Sequence, residues 1–279
     1  MRTDRFLDVD GVELHYSEWG NSEAPPVVCL HGLSRVGRDF DPLAAELESD
    51  YRVLCPDLPG RGLSEWTPAR YAPTAMIELL VGFCDALELP SLRVVGTSMG
   101  GSLGMRLAAG SLSDRIDALV VNDVGPGPEA ASEDGIERIL EYLTDPPTYD
   151  RFSEMEAHYR RTYATFSEMT DAEWRRLTRT SSRRTDDGRW TPNYDTRIVE
   201  PVLRSEPDVD GWATWDAIEV PTLVIRGTDS DILEEGAFEE MQRRRPAIET
   251  LEIDCGHAPA LNVEEQIEPI RSLFETVGD

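Results

Sequence analysis

The chain has 279 residues, 40% of them hydrophobic, enough for one large core or for a core carrying an inserted subdomain. Its formal net charge is -27, from 54 acidic against 27 basic residues, and every basic residue is arginine. Such a surface repels nucleic acid and anionic membranes, so neither is expected as a partner, and no stretch approaches the roughly 18 apolar residues that cross a bilayer.

The segment Met1–Arg5 lacks the apolar stretch and small-residue cleavage site of a secretory signal, so a cytoplasmic location is expected. Cys29, Cys55, Cys84 and Cys255 are scattered without metal-ligand spacing, and neither a disulfide nor a metal site is expected. The acid excess fits codon usage in a GC-rich genome. It also fits adaptation to high salt, which screens the self-repulsion of such a surface.

In chain order, Phe6–Tyr16 alternates like a hairpin around the turn pair Asp10-Gly11. Val27–Leu30 reads as a buried strand, Phe40–Leu47 as a helix, Tyr51–Cys55 as a strand and Thr74–Leu89 as a helix. Leu92–Gly96 is expected as a strand, Gly100–Ala109 as a helix and Ile116–Asn122 as a strand. Nearly continuous apolar strands alternating with helices indicate a parallel sheet covered on both faces. The pattern breaks at Gly125-Pro126-Gly127-Pro128. Helical segments at Ile136–Leu143, Tyr149–Phe166 and Asp171–Thr180 follow, with no convincing buried strand among them. Alternation resumes at Pro221–Ile225 and closes with a strand at Glu249–Ile253 and a helix at Glu264–Val277. The expected organisation is an α/β core over 1–124 and 213–279, with a helical cap over 125–212.

The most specific local signal is Gly96-Thr97-Ser98-Met99-Gly100, a G-x-S-x-G between a strand and a helix. A serine on so sharp a turn needs neighbours without a Cβ, and Gly96 and Gly100 supply them. The turn aims the Ser98 hydroxyl out of the sheet and sets the Met99 amide at a helix start, where it can face a developing oxyanion. His31-Gly32-Leu33 follows the Val27–Leu30 strand, and the Leu33 amide is the candidate second donor. His31 itself reads as a residue that fixes this loop. Asp57 begins the tight loop Asp57-Leu58-Pro59-Gly60-Arg61-Gly62 and reads as its amide cap.

A serine hydroxyl needs a base within hydrogen-bond reach. Of four histidines, only His257, in Cys255-Gly256-His257-Ala258-Pro259, lies in a loop after a late core strand. The base in turn needs a carboxylate. Asp231 is the first choice, in the loop after the Leu223–Arg226 strand. Asp229, in the same loop, and Asp123, at the end of the Ala118–Asn122 strand, stay open.

Taken together these four motifs resemble the α/β-hydrolase superfamily, of the bacterial esterase, lactonase and C–C hydrolase kind. The resemblance implies an eight-stranded, mostly parallel sheet with helices on both faces and a helical lid after the sixth strand. It implies an acid at the end of an Arg-Gly-x-x-Ser-Asp-x-Leu-like loop, here Arg226 to Leu233 with Asp231, although some relatives take the acid from the end of strand six. The expected activity is serine hydrolysis of a carboxylic ester or lactone without a cofactor. C–C hydrolysis of a dienoate, cofactor-free perhydrolysis and a non-catalytic binding role are the alternatives. The expected partner is a small-molecule substrate, with homo-oligomerisation open. Arg35 is a candidate for a substrate carboxylate or a surface ion pair, and Tyr159, Tyr163, Phe166 and Trp174 for the pocket wall.

Overall fold

The computed structural model describes residues 1–201 and 210–278. Eight strands form one sheet: β1 (Thr3–Val9), β2 (Val12–Trp19), β3 (Pro26–Leu30), β4 (Arg52–Pro56), β5 (Leu92–Thr97), β6 (Ile116–Asn122), and then β9 (Thr222–Gly227) and β10 (Glu249–Ile253). Their spatial order is β1-β2-β4-β3-β5-β6-β9-β10. Only β2 runs antiparallel to its neighbours; the other pairings are parallel. Asp10 and Gly11 both take positive φ, 51° and 77°, which is what a tight two-residue hairpin turn requires and why Asp-Gly stands there.

Alternate residues of the central strands feed opposite faces. Val28, Leu30, Val94, Leu119 and Val224 pack one core with Leu79, Phe83, Leu103, Trp215 and Met241. Val27, Cys29, Val95, Val120 and Ile225 pack the other with Leu43, Leu47, Ile267, Ile270 and Phe274. The first face is covered by α2 (Pro73–Ala86), α3 (Met99–Ala108), α7 (Gly211–Asp216) and α8 (Glu235–Arg244), and the second by α1 (Asp41–Leu47) and α9 (Glu264–Thr276). All four cysteines are free thiols buried in these layers or beside them.

Between β6 and β9 the chain leaves the sheet. It forms α4 (Glu133–Thr144), α5 (Phe152–Thr162), α6 (Asp171–Thr180) and a short antiparallel pair, β7 (Ser182–Arg184) with β8 (Trp190–Pro192). That ribbon corrects the expectation of an insertion built from helices alone. It also shortens the helix expected at Tyr149–Phe166, because Tyr149 exchanges both backbone hydrogen bonds with Trp190 and is pulled into extended pairing. The segment 125–212 expected as the cap includes 202–209, which lie outside the described residues, and its far boundary falls inside α7. Two small cores serve the insertion: Leu143, Tyr194 and Ile198 pack on Tyr71 of the loop before α2, and Met155, Tyr159, Trp174 and Leu177 pack among themselves.

Candidate active site

Ser98 sits between β5 and α3 with φ 54° and ψ -120°, a region that side chains rarely occupy. Its amide donates to the Asn122 carbonyl at 2.8 Å, which pins the turn to the end of β6. Both flanking glycines are forced by close approach. A Cβ at Gly96 would lie 2.3 Å from the Gly100 carbonyl oxygen, and one at Gly100 would lie 1.9 Å from that of Leu30.

His257 stands in the loop after β10 and is almost fully buried. Its Nε2 lies 3.0 Å from Ser98 Oγ and its Nδ1 lies 2.8 Å from Asp123 Oδ2. With Nδ1 donating to the carboxylate, Nε2 is left to accept the serine proton. The loop is tied on two sides: Asn122 Nδ2 donates to the Pro259 carbonyl at 2.9 Å, and the Gly256 amide donates to the Thr165 carbonyl of the insertion at 2.7 Å.

The carboxylate at His257 therefore belongs to Asp123, and the first choice from sequence, Asp231, is corrected. Asp123 is fully buried at φ 60°. Its Oδ1 accepts the Gly227 amide at 2.8 Å, and its Oδ2 accepts the Ser230 hydroxyl at 2.8 Å in addition to His257. Ser230 Oγ in turn accepts the Ile232 and Leu233 amides, so the loop curls around the serine and turns Asp231 away. Asp231 meets Arg138 of α4 instead, at 2.9 Å to Nε and 2.7 Å to Nη2. Burial alone would raise the Asp231 carboxyl, but the Arg138 pair outweighs it and holds the group below the ordinary carboxylate range. Asp229 is exposed and touches the site only through its amide, which donates to the Cys255 carbonyl.

The Met99 amide opens α3, where first-turn N–H groups have no helical acceptor. The Leu33 amide lies in the loop facing it. A buried arginine, Arg61, holds both segments: Nε donates to the Leu33 carbonyl at 2.8 Å, and Nη2 reaches Met99 Sδ at 3.7 Å. His31 donates from Nδ1 to the Gly32 carbonyl and accepts the Leu58 amide on Nε2. Burial drives its pKa down to about 4, so it serves as a neutral loop tether. Asp57 caps the Gly37 and Leu63 amides and holds the His15 ring.

A cleft opens over Ser98 and His257 between the sheet and the insertion, with Leu33, Phe40, Ile139, Tyr142, Phe166 and Met169 in its walls. Of the four aromatics anticipated there, Tyr163 and Phe166 line it. Tyr159 and Trp174 do not: Tyr159 stacks beneath Tyr163 and donates to the Ser181 carbonyl, and Trp174 belongs to the insertion's own core. Arg35 lines the cleft as a buried side chain, not a surface one, and pairs bidentately with Asp39 at 2.7 and 2.8 Å. Sequence reading missed Ser230, Arg138 and two further cleft-lining residues, Tyr142 and Arg176, whose positions depend on how distant segments fold together. Among the described residues no three potential metal ligands converge, and no helix is long and apolar enough to cross a membrane.

Residues 27–268 match the model of the alpha/beta hydrolase family. The 3-hydroxybutyrate-oligomer hydrolase of Cupriavidus necator is 37% identical over 272 residues, covering 93% of this chain and 92% of that protein. An esterase of Mycobacterium tuberculosis is 28% identical, covering 92% of this chain and 85% of its own. The crystal structure of an alpha/beta hydrolase from Novosphingobium aromaticivorans superposes with a TM-score of 0.88 at 34% identity, covering 98% of both chains.

Proposed function

The chain belongs to the α/β-hydrolase family, and on that premise we propose that it cleaves carboxylic esters through an acyl-enzyme on Ser98. The observation that carries this reading is the unbroken contact chain from Ser98 Oγ through His257 to Asp123, at 3.0 and 2.8 Å. Ser98 attacks the ester carbonyl while His257 Nε2 takes its proton. Asp123 fixes the ring and stabilises the imidazolium. The Met99 and Leu33 amides receive the developing oxyanion, each such donor contributing roughly 3 to 4 kcal/mol. His257 then protonates the departing alcohol, and a water activated by the same ring releases the acid and restores the serine.

The helices α4 to α6 and their β7–β8 ribbon serve as the cap, with Tyr163 and Phe166 closing the acyl or alcohol side of the cleft. The relatives agree with ester chemistry, one named for 3-hydroxybutyrate oligomers and another as an esterase. The test is hydrolysis of p-nitrophenyl acetate, butyrate and octanoate, then of 3-hydroxybutyrate oligomers, by wild type and Ser98→Ala. Intact-mass analysis after a fluorophosphonate runs beside it. Serine-dependent turnover with one adduct on Ser98 is expected; turnover that survives in Ser98→Ala would sink the proposal.

A further inference from the structure

On a chain with twice as many acidic as basic residues, the cleft over Ser98 inverts the balance: among the described residues four arginines line it, Arg35, Arg38, Arg138 and Arg176, against one carboxylate, Asp39. Three of the four have a carboxylate partner, although Arg35 Nη1 is buried without an acceptor. Arg35 grips Asp39, Arg38 grips Asp41 and Arg138 grips Asp231. Arg38 and Arg138 are among the lining residues, whereas their partners Asp41 and Asp231 are not. Arg176, on α6, is different. Its guanidinium makes no hydrogen bond or ion pair with a described residue, although Asp41 and Glu173 stand near enough to feel its charge.

Arg176 is partly exposed and lines an apolar-walled cleft, so a ligand carboxylate that displaced its water would gain a charge-assisted hydrogen bond in low-dielectric surroundings. Low-dielectric walls also focus the field of the whole cluster on the cleft mouth. The fixed Arg35–Asp39 pair, stacked with its guanidinium carbon 4.6 Å from the Tyr163 ring centroid, keeps this wall rigid. We infer that Arg176 docks a carboxylate carried by the substrate away from the scissile carbonyl, so that the cleft serves anionic esters in preference to neutral ones. The inference names the substrate class of the site and rests on the ester-hydrolase reading. It stands on the cap and does no bond-breaking chemistry; Arg176 is a specificity residue.

Two pairs of probes isolate the charge at constant shape: 3-butanoyloxybutanoate against its carboxamide, with the charge on the alcohol part, and monoethyl glutarate against ethyl glutaramate, with the charge on the acyl part. Wild type should favour the anion in at least one pair by about ten- to hundredfold in kcat/KM at low salt, and molar KCl should compress that ratio. Arg176→Gln should bring the ratio to within about twofold of unity, and Arg176→Lys should restore part of it. Arg243→Gln, on the exposed side of α8, should leave the ratio as in wild type. Equal use of acid and amide by wild type in both pairs, or a ratio untouched by Arg176→Gln, overturns the inference. Calorimetric binding of the same probes to Ser98→Ala separates the two readings. Selective binding of the anions without any ester turnover by wild type would sustain the anion site and refute the hydrolase, whereas turnover with no anion selectivity would do the reverse.

Discussion

Ser230 donates its hydroxyl to Asp123 Oδ2 at 2.8 Å, on the same oxygen that receives His257 Nδ1. The loop that supplies this serine also carries Asp231, so a single turn decides which carboxylate faces the histidine. Asp123→Asn keeps the shape but removes the charge and offers the ring a donor where an acceptor is needed. The expected fall in kcat is about four orders of magnitude. Asp231→Asn breaks only the Arg138 pair and should cost less than tenfold. Steady-state kinetics on p-nitrophenyl butyrate decide the matter, and a reversed ranking would return the acid role to Asp231.

Ser230→Ala leaves Asp123 with the Gly227 amide and His257, and leaves the Ile232 and Leu233 amides without their acceptor. Loss of these buried bonds should destabilise the fold by about 1 to 3 kcal/mol. The looser carboxylate should lower kcat roughly threefold to tenfold, with little change in KM. Urea denaturation and kinetics on one preparation report both numbers. A fall in stability with kcat unchanged would make Ser230 a loop residue without influence on the histidine.

Much of this arrangement is local and was therefore legible in the chain. The Gly96–Gly100 turn, the Asp10-Gly11 hairpin and the Ile116–Asn122 strand depend on residues within one segment, and the ends of that strand match the observed ones. The carboxylate that meets His257 was not legible in the same way. Asp123 and Asp231 lie at the ends of the neighbouring parallel strands β6 and β9, so either can approach one histidine, and the choice is made by Ser230 and by Arg138, 93 residues from Asp231. Arg35 read as a surface group because its shielding by Tyr163 and Ser181 comes from the insertion. Helix α8 was missed because its buried contacts are only Phe238 and Met241, too sparse a stripe to stand out among charged neighbours.

The buried tether His31 gives acid stability a definite sign. Its folded pKa, lowered by burial to about 4, lies below the ordinary 6.5 or so of the unfolded chain. Between those values the unfolded chain takes up a proton that the folded chain refuses. The stability it contributes is full above about pH 6.5 and is lost as pH falls toward 4, by up to about 3 kcal/mol. His15 opposes this: burial lowers it, but its hydrogen bond to Asp57 outweighs burial and raises it, so its contribution is present at low pH and lost as pH rises. Denaturation of wild type and His31→Gln between pH 7 and 4.5 should give a shallower loss for the variant, in which the titrating group is gone. Parallel curves would refute the assignment.

The excess of 27 negative charges sets two salt effects against each other. Screening weakens surface ion pairs such as Arg271–Glu264, which contribute little individually. It also relieves repulsion among the many carboxylates without a cation, and that term grows with the square of the net charge. Repulsion should win. The Debye length falls from about 10 Å at 0.1 M to about 3 Å at 1 M, and Tm should rise by about 5 to 10 °C in molar KCl, or about 3 to 6 kcal/mol at this chain length. Calorimetric scans across KCl concentration measure it directly. If Tm stays level, the acidic surface carries no salt-dependent strain, and codon usage alone is enough to explain the composition.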